Sequence, residues 1–363
     1  MRILAVAGSS GGHIFPALAL LDRLKERVPA LESVLVLPLK NICDEDVVRG
    51  YSIKYISVRP FKAGFNFFNL MSSFGLVKGV FESLFLLAFF RPDIVIGFGS
   101  IASIPLVFFA WMFRIKTLVH EQNVVPGEAN RFLGRFADRI AVSFDKSEEF
   151  LRGFKEKVIL TGNPIRRELT RLDKKSALIF LGFTQDKFTV LVMGGSQGSQ
   201  TINRGFTDAL IGLAERQRLQ VIHLSGAADA EFLKKRYDES GVTAKIFPFL
   251  DKMQYAYSAA DLAVCRAGAA TINELINFCL PAVIIPYPFA FKHQMANAAV
   301  LEKKGCALVI DDRDAGSAKM QKILKDLMKG GRQLEQMVSN YSDFKNADAA
   351  GLLADEVLNI HRT

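Results

Sequence analysis

The sequence predicts an α/β fold of two parallel-sheet halves of similar size. Three observations carry that reading. Short apolar runs alternate with longer amphipathic segments along the whole chain, the pattern of a parallel sheet with covering helices. The layout of strand, glycine-rich turn and helix opens the chain, Ile3–Ala7 into Gly8-Ser-Ser-Gly-Gly-His13, and recurs midway, Thr189–Met193 into Gly194-Gly-Ser-Gln-Gly198. A length of 363 residues suits two cores better than one.

The elements follow in order. Ile3–Ala7 is continuously apolar, as expected of a strand buried on both faces. The Gly8–His13 turn leads into a helix with Pro16 near its first position and Leu18, Leu21, Leu24 and Val28 along its apolar side. Strands are expected at Val34–Leu37, Ile53–Val58, Ile94–Phe98, Thr117–His120, Arg139–Ser143 and Val158–Leu160, with helices filling the gaps. Gly162-Asn-Pro-Ile-Arg166 closes this half, and the join is placed near Pro164, giving halves of 1–163 and 164–340. The second half continues with a helix from about Thr201 and strands at Val221–Leu224, Ala244–Phe247, Leu262–Cys265, Val283–Ile285 and Leu308–Ile310. From Ser317 onward the segments are helical and mixed in charge. Two Rossmann-like domains are the natural inference.

Half of the residues are hydrophobic, which excludes a disordered chain. The formal net charge of +9 points to anionic partners, whether nucleic acid, anionic lipid or phosphorylated substrates; of these, no nucleic-acid partner is expected. Cys43, Cys265, Cys279 and Cys306 show no C-x-x-C pair and no metal spacing, so buried free thiols in a reducing compartment are expected. The acidic strings Asp44-Glu-Asp46 and Asp312-Arg-Asp314 read as solvated loops. No metal and no cofactor is expected. The N-terminus runs straight into a strand, without the apolar length and cleavage site of a secretory signal. Asn66, Asn69, Lys78 and Glu82 interrupt the most hydrophobic span, Phe65–Phe90, whereas a spanning helix wants about 20 mostly apolar residues. A cytoplasmic protein is expected.

Neither glycine turn is G-x-G-x-x-G or a Walker A loop, so dinucleotide and P-loop chemistry lack support. Both still present backbone N–H groups at a helix start, which is how proteins hold diphosphates without a metal. Arg266-Ala-Gly-Ala-Ala-Thr-Ile-Asn-Glu274 is the most informative stretch. Thr271 at an N-cap with Glu274 three residues on reads as a capping box, leaving anion-binding donors at the helix start. Glu274 either closes that box or offers two oxygens to ribose hydroxyls. Gln294 and Asn297, three apart on one helix face, carry amides suited to sugar hydroxyls.

These motifs, with His120-Glu-Gln-Asn123, Gly162–Arg166, Asn203 and Phe249-Leu-Asp251, resemble in order and spacing the MurG-type enzymes of glycosyltransferase family 28. The resemblance runs nearly end to end. It implies a GT-B fold with the active site between the domains and a C-terminal helix, about 341–363, returning to the first. It also implies inverting, metal-independent transfer of N-acetylglucosamine from UDP-N-acetylglucosamine to a lipid-linked muramyl-pentapeptide in cell-wall synthesis, at the cytoplasmic face of the bacterial plasma membrane. The donor residues so implied are Arg166, Ser196, Asn203, Leu250, Ala270, Thr271, Glu274, Gln294 and Asn297. The acceptor residues are Ser10, Gly11, Gly12, His13 and Asn123, with His13 as general base. His13 could equally be a helix-start residue with no proton to move. The first turn departs from the family's usual G-G-T-G-G-H, and Ala267 stands where Ser is frequent. A related transferase with a diacylglycerol acceptor, a UDP-N-acetylglucosamine 2-epimerase, and a non-catalytic binding protein are the alternatives.

The segment Arg59–Lys116 holds thirteen of the thirty Phe residues and the only Trp, Trp111. Six cations (Arg59, Lys62, Lys78, Arg91, Arg114, Lys116) against Glu82 and Asp93 give it a charge of +4. Phe74, Val77, Phe81, Phe85 and Phe89 trace a helical stripe that reads as core packed on the sheet. Phe65, Phe67, Phe68, Leu70 and Met71 lie off it and, with the flanking cations, suit an anionic membrane surface.

Overall fold

The structure is a computed structural model that describes residues 1–39, 48–58, 67–195, 197–329, 331–344 and 348–362, with the backbone alone for 67–74 and 291. Cys43, Asp44–Asp46, Phe65 and Ser196, and the side chains of Phe67, Phe68, Leu70, Met71 and Phe74, lie outside the described residues. The chain divides into two compact units, Met1–Arg166 with Ala347–Thr363, and Arg167–Asn346. The first unit extends past the expected 163/164 join. Thr161 and Asn163 are buried in it, and His120 Nε2–H donates to the Gly162 carbonyl at 3.0 Å.

The first unit contains β1 (Arg2–Ala7), α1 (Gly11–Arg27), β2 (Glu32–Pro38), β3 (Ile53–Ile56), α2 (Phe67–Phe90), β4 (Ile94–Phe98), α3 (Ser103–Met112), β5 (Lys116–Glu121), α4 (Glu128–Leu133), β6 (Arg139–Val142) and β7 (Val158–Leu160). Its sheet is parallel, in the order β3-β2-β1-β4-β5-β6-β7. Successive side chains of a strand face opposite ways, so β1 feeds two cores. Ile3, Ala5 and Ala7 join one with Leu20, Leu24 and Leu35, while Leu4 and Val6 join the other with Val95, Leu106 and Val119. Pro16 lies inside α1 and not at its first position.

The second unit contains α5 (Lys174–Leu181), β8 (Phe188–Met193), α6 (Gln200–Ile211), β9 (Leu219–Leu224), α7 (Ala230–Ser240), β10 (Thr243–Phe247), α8 (Met253–Ala259), β11 (Leu262–Cys265), α9 (Ala269–Phe278), β12 (Ala282–Ile284), α10 (Phe291–Glu302), β13 (Ala307–Val309), α11 (Ala318–Met328) and α12 (Arg332–Ser339). Its parallel order is β10-β9-β8-β11-β12-β13. The last helix, α13 (Ala349–Arg362), belongs to the first unit. There Leu353, Ala354, Val357 and Ile360 are buried in the core of Ile3 and Leu24, and Arg23–Asp348 (2.7 Å), Arg27–Asp355 (2.5 Å) and Arg139–Glu356 (3.0 Å) fasten its rim. It begins later than the expected 341, because residues Asn340–Asp343 form a 3-10 turn.

In both sheets the strand order reverses beside the first strand, between β1 and β4 and between β8 and β11. Loops at the carboxyl ends of such strand pairs form the ligand crevice of open α/β sheets. Both glycine turns are therefore carried to the switch point of their own sheet.

The reading of the α2 stripe as core is corrected. Val77, Phe81, Phe85 and Phe89 are 57, 67, 62 and 72 % exposed. The face that packs inward is the i, i+4 row Gly75, Gly79, Ser83 and Leu87. A Cβ on Gly75 would lie 2.6 Å from the Ser57 carbonyl oxygen, and one on Gly79 would lie 2.4 Å from Val58 Cγ2. Glu82 secures this approach by accepting from Ser57 N (2.6 Å) and Ser57 Oγ (2.9 Å). Small residues let the helix sit close, and the phenylalanines are left outside. Among the described residues no helix is long and apolar enough to cross a membrane.

Candidate active site

In the first unit the β1–α1 turn and the β4–α3 turn meet around His13. A Cβ on Gly8 would lie 2.4 Å from His13 Nδ1, and one on Gly99 would lie 3.4 Å from Nε2, so glycine at both positions makes room for the ring. Ser10 is the N-cap of α1 and exposed, and its Oγ lies 3.4 Å from His13 Nδ1. It makes no side-chain cap bond, so the N–H groups of Gly11 and Gly12 begin the helix without one. Burial lowers the His13 pKa below its ordinary 6.5, opposed by the negative charge of Glu121. The imidazole is thus neutral near pH 7, the form that accepts a proton.

Glu121 sits at the carboxyl end of β5, buried, and every contact holds its carboxylate in place. Oε1 accepts from Asn123 N (2.8 Å) and Nδ2 (3.1 Å), and Oε2 from Gly127 N (3.0 Å) and Asn130 Nδ2 (2.8 Å). Asn123 is therefore part of the frame around this carboxylate. His120 and Glu121 bond to loops and not to each other: His120 Nδ1 accepts from Gln122 Nε2 at 3.1 Å. Arg166, expected in the donor set, closes the first unit, with its guanidinium 4.1 Å from the centre of the Phe15 ring on α1 and a buried Nε that has no hydrogen-bond partner.

In the second unit the capping box is corrected. Helix α9 begins at Ala269 behind an extended Gly268, with no side-chain cap, so Thr271 lies inside the first turn. The N–H groups of Ala269, Ala270 and Thr271 still lack helical acceptors, the feature on which anion binding at a helix start depends. Glu274 closes no box. Its Oε2 accepts from Tyr257 Oη at 2.6 Å. Tyr257, buried on α8, is a residue the sequence reading missed; no local pattern links it to a partner on another helix.

Gln294 and Asn297 share a face of α10, and both are bonded to the backbone of the same residue, Ala267. Gln294 Oε1 accepts from Ala267 N (3.1 Å) and Tyr287 N (2.8 Å), while Asn297 Nδ2 donates to the Ala267 carbonyl (3.1 Å). Asn297 has no exposed surface, and its bond to Ala267 shapes the loop before α9. Gln294 is half-buried at the rim of that loop. Arg266 binds behind it: Nη1 donates to Ile285 O (3.0 Å) and Asp312 Oδ1 (2.5 Å), and Nη2 to Ser199 Oγ (2.7 Å) at the start of α6. Asp312 is thus the partner of a buried cation, not a solvated loop residue.

Asn203, expected in the donor set, is fully buried on α6 and bonded to Ser225, Asp229 and His223. Leu250 is half-buried on the loop after β10. The site residues thus gather in two groups, one at each switch point.

Two family models match the chain, the glycosyltransferase family 28 N-terminal domain over residues 3–142 and the family 28 C-terminal domain over residues 189–353. The chain belongs to glycosyltransferase family 28. Among family 28 relatives, the UDP-N-acetylglucosamine–N-acetylmuramyl-(pentapeptide) pyrophosphoryl-undecaprenol N-acetylglucosamine transferase of Halothermothrix orenii is 35 % identical over 350 residues, 94 % of each chain. The protein of the same name from Thermoanaerobacter sp. is 36 % identical over 356 residues, 96 % of this chain and 97 % of that one. Among solved structures, Acinetobacter baumannii MurG shares the GT-B fold at a TM-score of 0.74 and 24 % identity, covering 99 % of this chain and all of that one. A Neisseria meningitidis UDP-GlcNAc 2-epimerase bound to UDP-GlcNAc gives 0.71 at 14 % identity over 99 % of this chain and all of that one, a likeness of fold alone.

Proposed function

We propose that this chain transfers N-acetylglucosamine from UDP-N-acetylglucosamine to the muramyl sugar of undecaprenyl-pyrophosphoryl-muramyl-pentapeptide, with inversion. The observation that carries this is the near full-length match, at about 35 % identity, to transferases of that name. The epimerase alternative rests on fold likeness only.

His13 takes the proton of the acceptor hydroxyl as its oxygen attacks the anomeric carbon, and the bond to UDP breaks on the opposite face. The departing diphosphate carries the bond's electron pair, and the uncapped start of α9 stabilises that charge. Glu274, held by Tyr257, receives the ribose hydroxyls. Gln294 reads the sugar from the rim of the Ala267 loop.

The chain works at the cytoplasmic face of the plasma membrane, docking through its first unit. Exposed Phe81, Phe85 and Phe89 on α2, with Trp111, Met112 and Phe113 at the end of α3, offer apolar contact, and Lys78 brings a cation beside them.

The test offers labelled UDP-N-acetylglucosamine with lipid-linked muramyl-pentapeptide in one panel and diacylglycerol in another. Label in the first panel is expected. Label only in the second moves the chain to a different lipid acceptor, and formation of UDP-N-acetylmannosamine, or of free N-acetylmannosamine and UDP by hydrolysis, without any acceptor makes it an epimerase.

A further inference from the structure

His223 is the penultimate residue of β9, has no exposed surface and takes no part in the chemistry above. Its hydrogen bonds are determined by elimination. Asn203 Nδ2 lies 2.8 Å from the Ser225 carbonyl oxygen and 2.9 Å from Asp229 Oδ2, both acceptors, which fixes which end of the amide is NH₂. Asn203 Oδ1 must then accept from His223 Nε2–H, 3.1 Å away. His223 Nδ1 in turn accepts from Tyr237 Oη at 2.8 Å. Burial lowers the His223 pKa to about 3, so the ring is neutral and carries the single N–H that this chain of bonds requires.

The far end of the chain of bonds is a backbone lock. Gly198, at the end of the glycine turn after β8, has φ +76°, and a Cβ there would lie 2.0 Å from the Ser225 carbonyl oxygen. Gly226 has φ +71°, and a Cβ there would lie 2.3 Å from the Gln197 carbonyl oxygen. The two turns sit face to face with no room for a methyl group. Ser225 O is both the atom that Asn203 holds and the atom against which Gly198 rests. A displacement of Asn203 therefore reaches the glycine turn through a contact with no slack.

We propose that His223 is a positioning residue for the donor-side glycine turn. Through Asn203 it fixes the Ser225–Gly226 backbone, and that backbone sets the geometry in which the turn and the start of α6 meet a diphosphate. The inference rests on the reading of the chain as a UDP-sugar transferase.

The experiment compares His223→Phe, which keeps a ring and loses both bonds, with His223→Gln, which can donate and accept in its place. UDP affinity is read by calorimetry, hydrogen exchange at the Gly198 and Ser199 amides without ligand, and kcat at saturating donor. For His223→Phe we expect UDP binding weaker by about tenfold, exchange at Gly198 faster by about tenfold, and kcat within about threefold of wild type. His223→Gln should return both to within about threefold. Wild-type UDP affinity and exchange in His223→Phe overturn the proposal, and so does a loss that only tracks the unfolded fraction and that His223→Gln does not restore. Should His223→Phe fail to fold, Tyr237→Phe removes only the hydroxyl that orients the ring. About threefold weaker UDP binding is then expected, and unchanged binding overturns the proposal. If wild-type protein binds no UDP, the transferase reading fails, while the exchange comparison still decides whether His223 positions the turn.

Discussion

Lowering the pH from about 7.5 to about 5 should cost the fold about 2 kcal/mol at each of two buried histidines. Burial lowers His120 to about 4 and His223 to about 3 from the ordinary 6.5. The unfolded chain therefore takes up protons near pH 6.5, and the folded chain only well below that. Between those values the unfolded state binds more protons, so stability is complete above about pH 6.5 and falls as the pH drops. At about pH 5 the gap is about 1.5 units per imidazole, and 1.36 kcal/mol per unit gives the figure. His13, also lowered by burial, adds a term of the same sign. The carboxylates held low by hydrogen bonds, Asp173, Asp186 and Asp311, titrate below 3.8 and so below this window. The assay is urea unfolding by circular dichroism at several pH values, for wild type, His223→Gln and His120→Gln. Each variant should lose less stability between about pH 7 and 5 than wild type, by about 2 kcal/mol. Equal pH slopes in all three proteins would refute the assignment of buried neutral rings.

Three further outcomes are expected. Tyr257→Phe should raise the donor KM about tenfold through loss of a hydrogen bond to a carboxylate, and Glu274→Ala should raise it at least as much; additive effects in the double variant would mean that Tyr257 does not act through Glu274. His13→Ala should lower kcat by about 10²-fold or more with the fold intact, and a near-normal kcat would remove it from the base role. Phe81, Phe85 and Phe89 changed together to Ser should abolish most binding to anionic liposomes at low salt while leaving the melting temperature nearly unchanged; undiminished binding would place the membrane contact elsewhere.

Much of the fold was legible in the sequence because buried parallel strands leave short apolar runs with sharp polar edges. Ile94–Phe98, Val158–Leu160 and Leu262–Cys265 match their observed bounds to the residue. What could not be read depends on partners distant in sequence. Thr271 and Glu274 have the spacing of a capping box, yet the helix start is set by the Ala267 peptide, which Gln294 and Asn297 grip from α10. Periodicity showed that Phe81, Phe85 and Phe89 share a face but not which way it points. That was decided by Gly75 and Gly79, which admit Ser57 and Val58 to close contact on the other face. Asn203 was recognised as a motif residue, but its place behind the turn depends on His223 and Asp229, twenty or more positions away.

The two units show how one topology carries two kinds of chemistry. Both bring a glycine turn to the point where strand order reverses, and they fill that point differently. In the first unit Gly8 and Gly99 leave space that the His13 ring occupies, so the switch point holds a titratable nitrogen. In the second the turn closes on its own backbone: a Cβ on Gly194 would lie 2.3 Å from Ser199 N, and Arg266 from the end of β11 bonds Ser199 Oγ. The Arg266 cation is itself engaged by two backbone carbonyls and Asp312. What remains is a rigid set of backbone donors at two helix starts, α6 and α9. Fixed donors need little reorganisation when negative charge develops. On the proposed mechanism the labour of glycosyl transfer is divided accordingly, with proton removal falling to the unit that holds the buried imidazole and leaving-group stabilisation to the unit that holds oriented N–H groups.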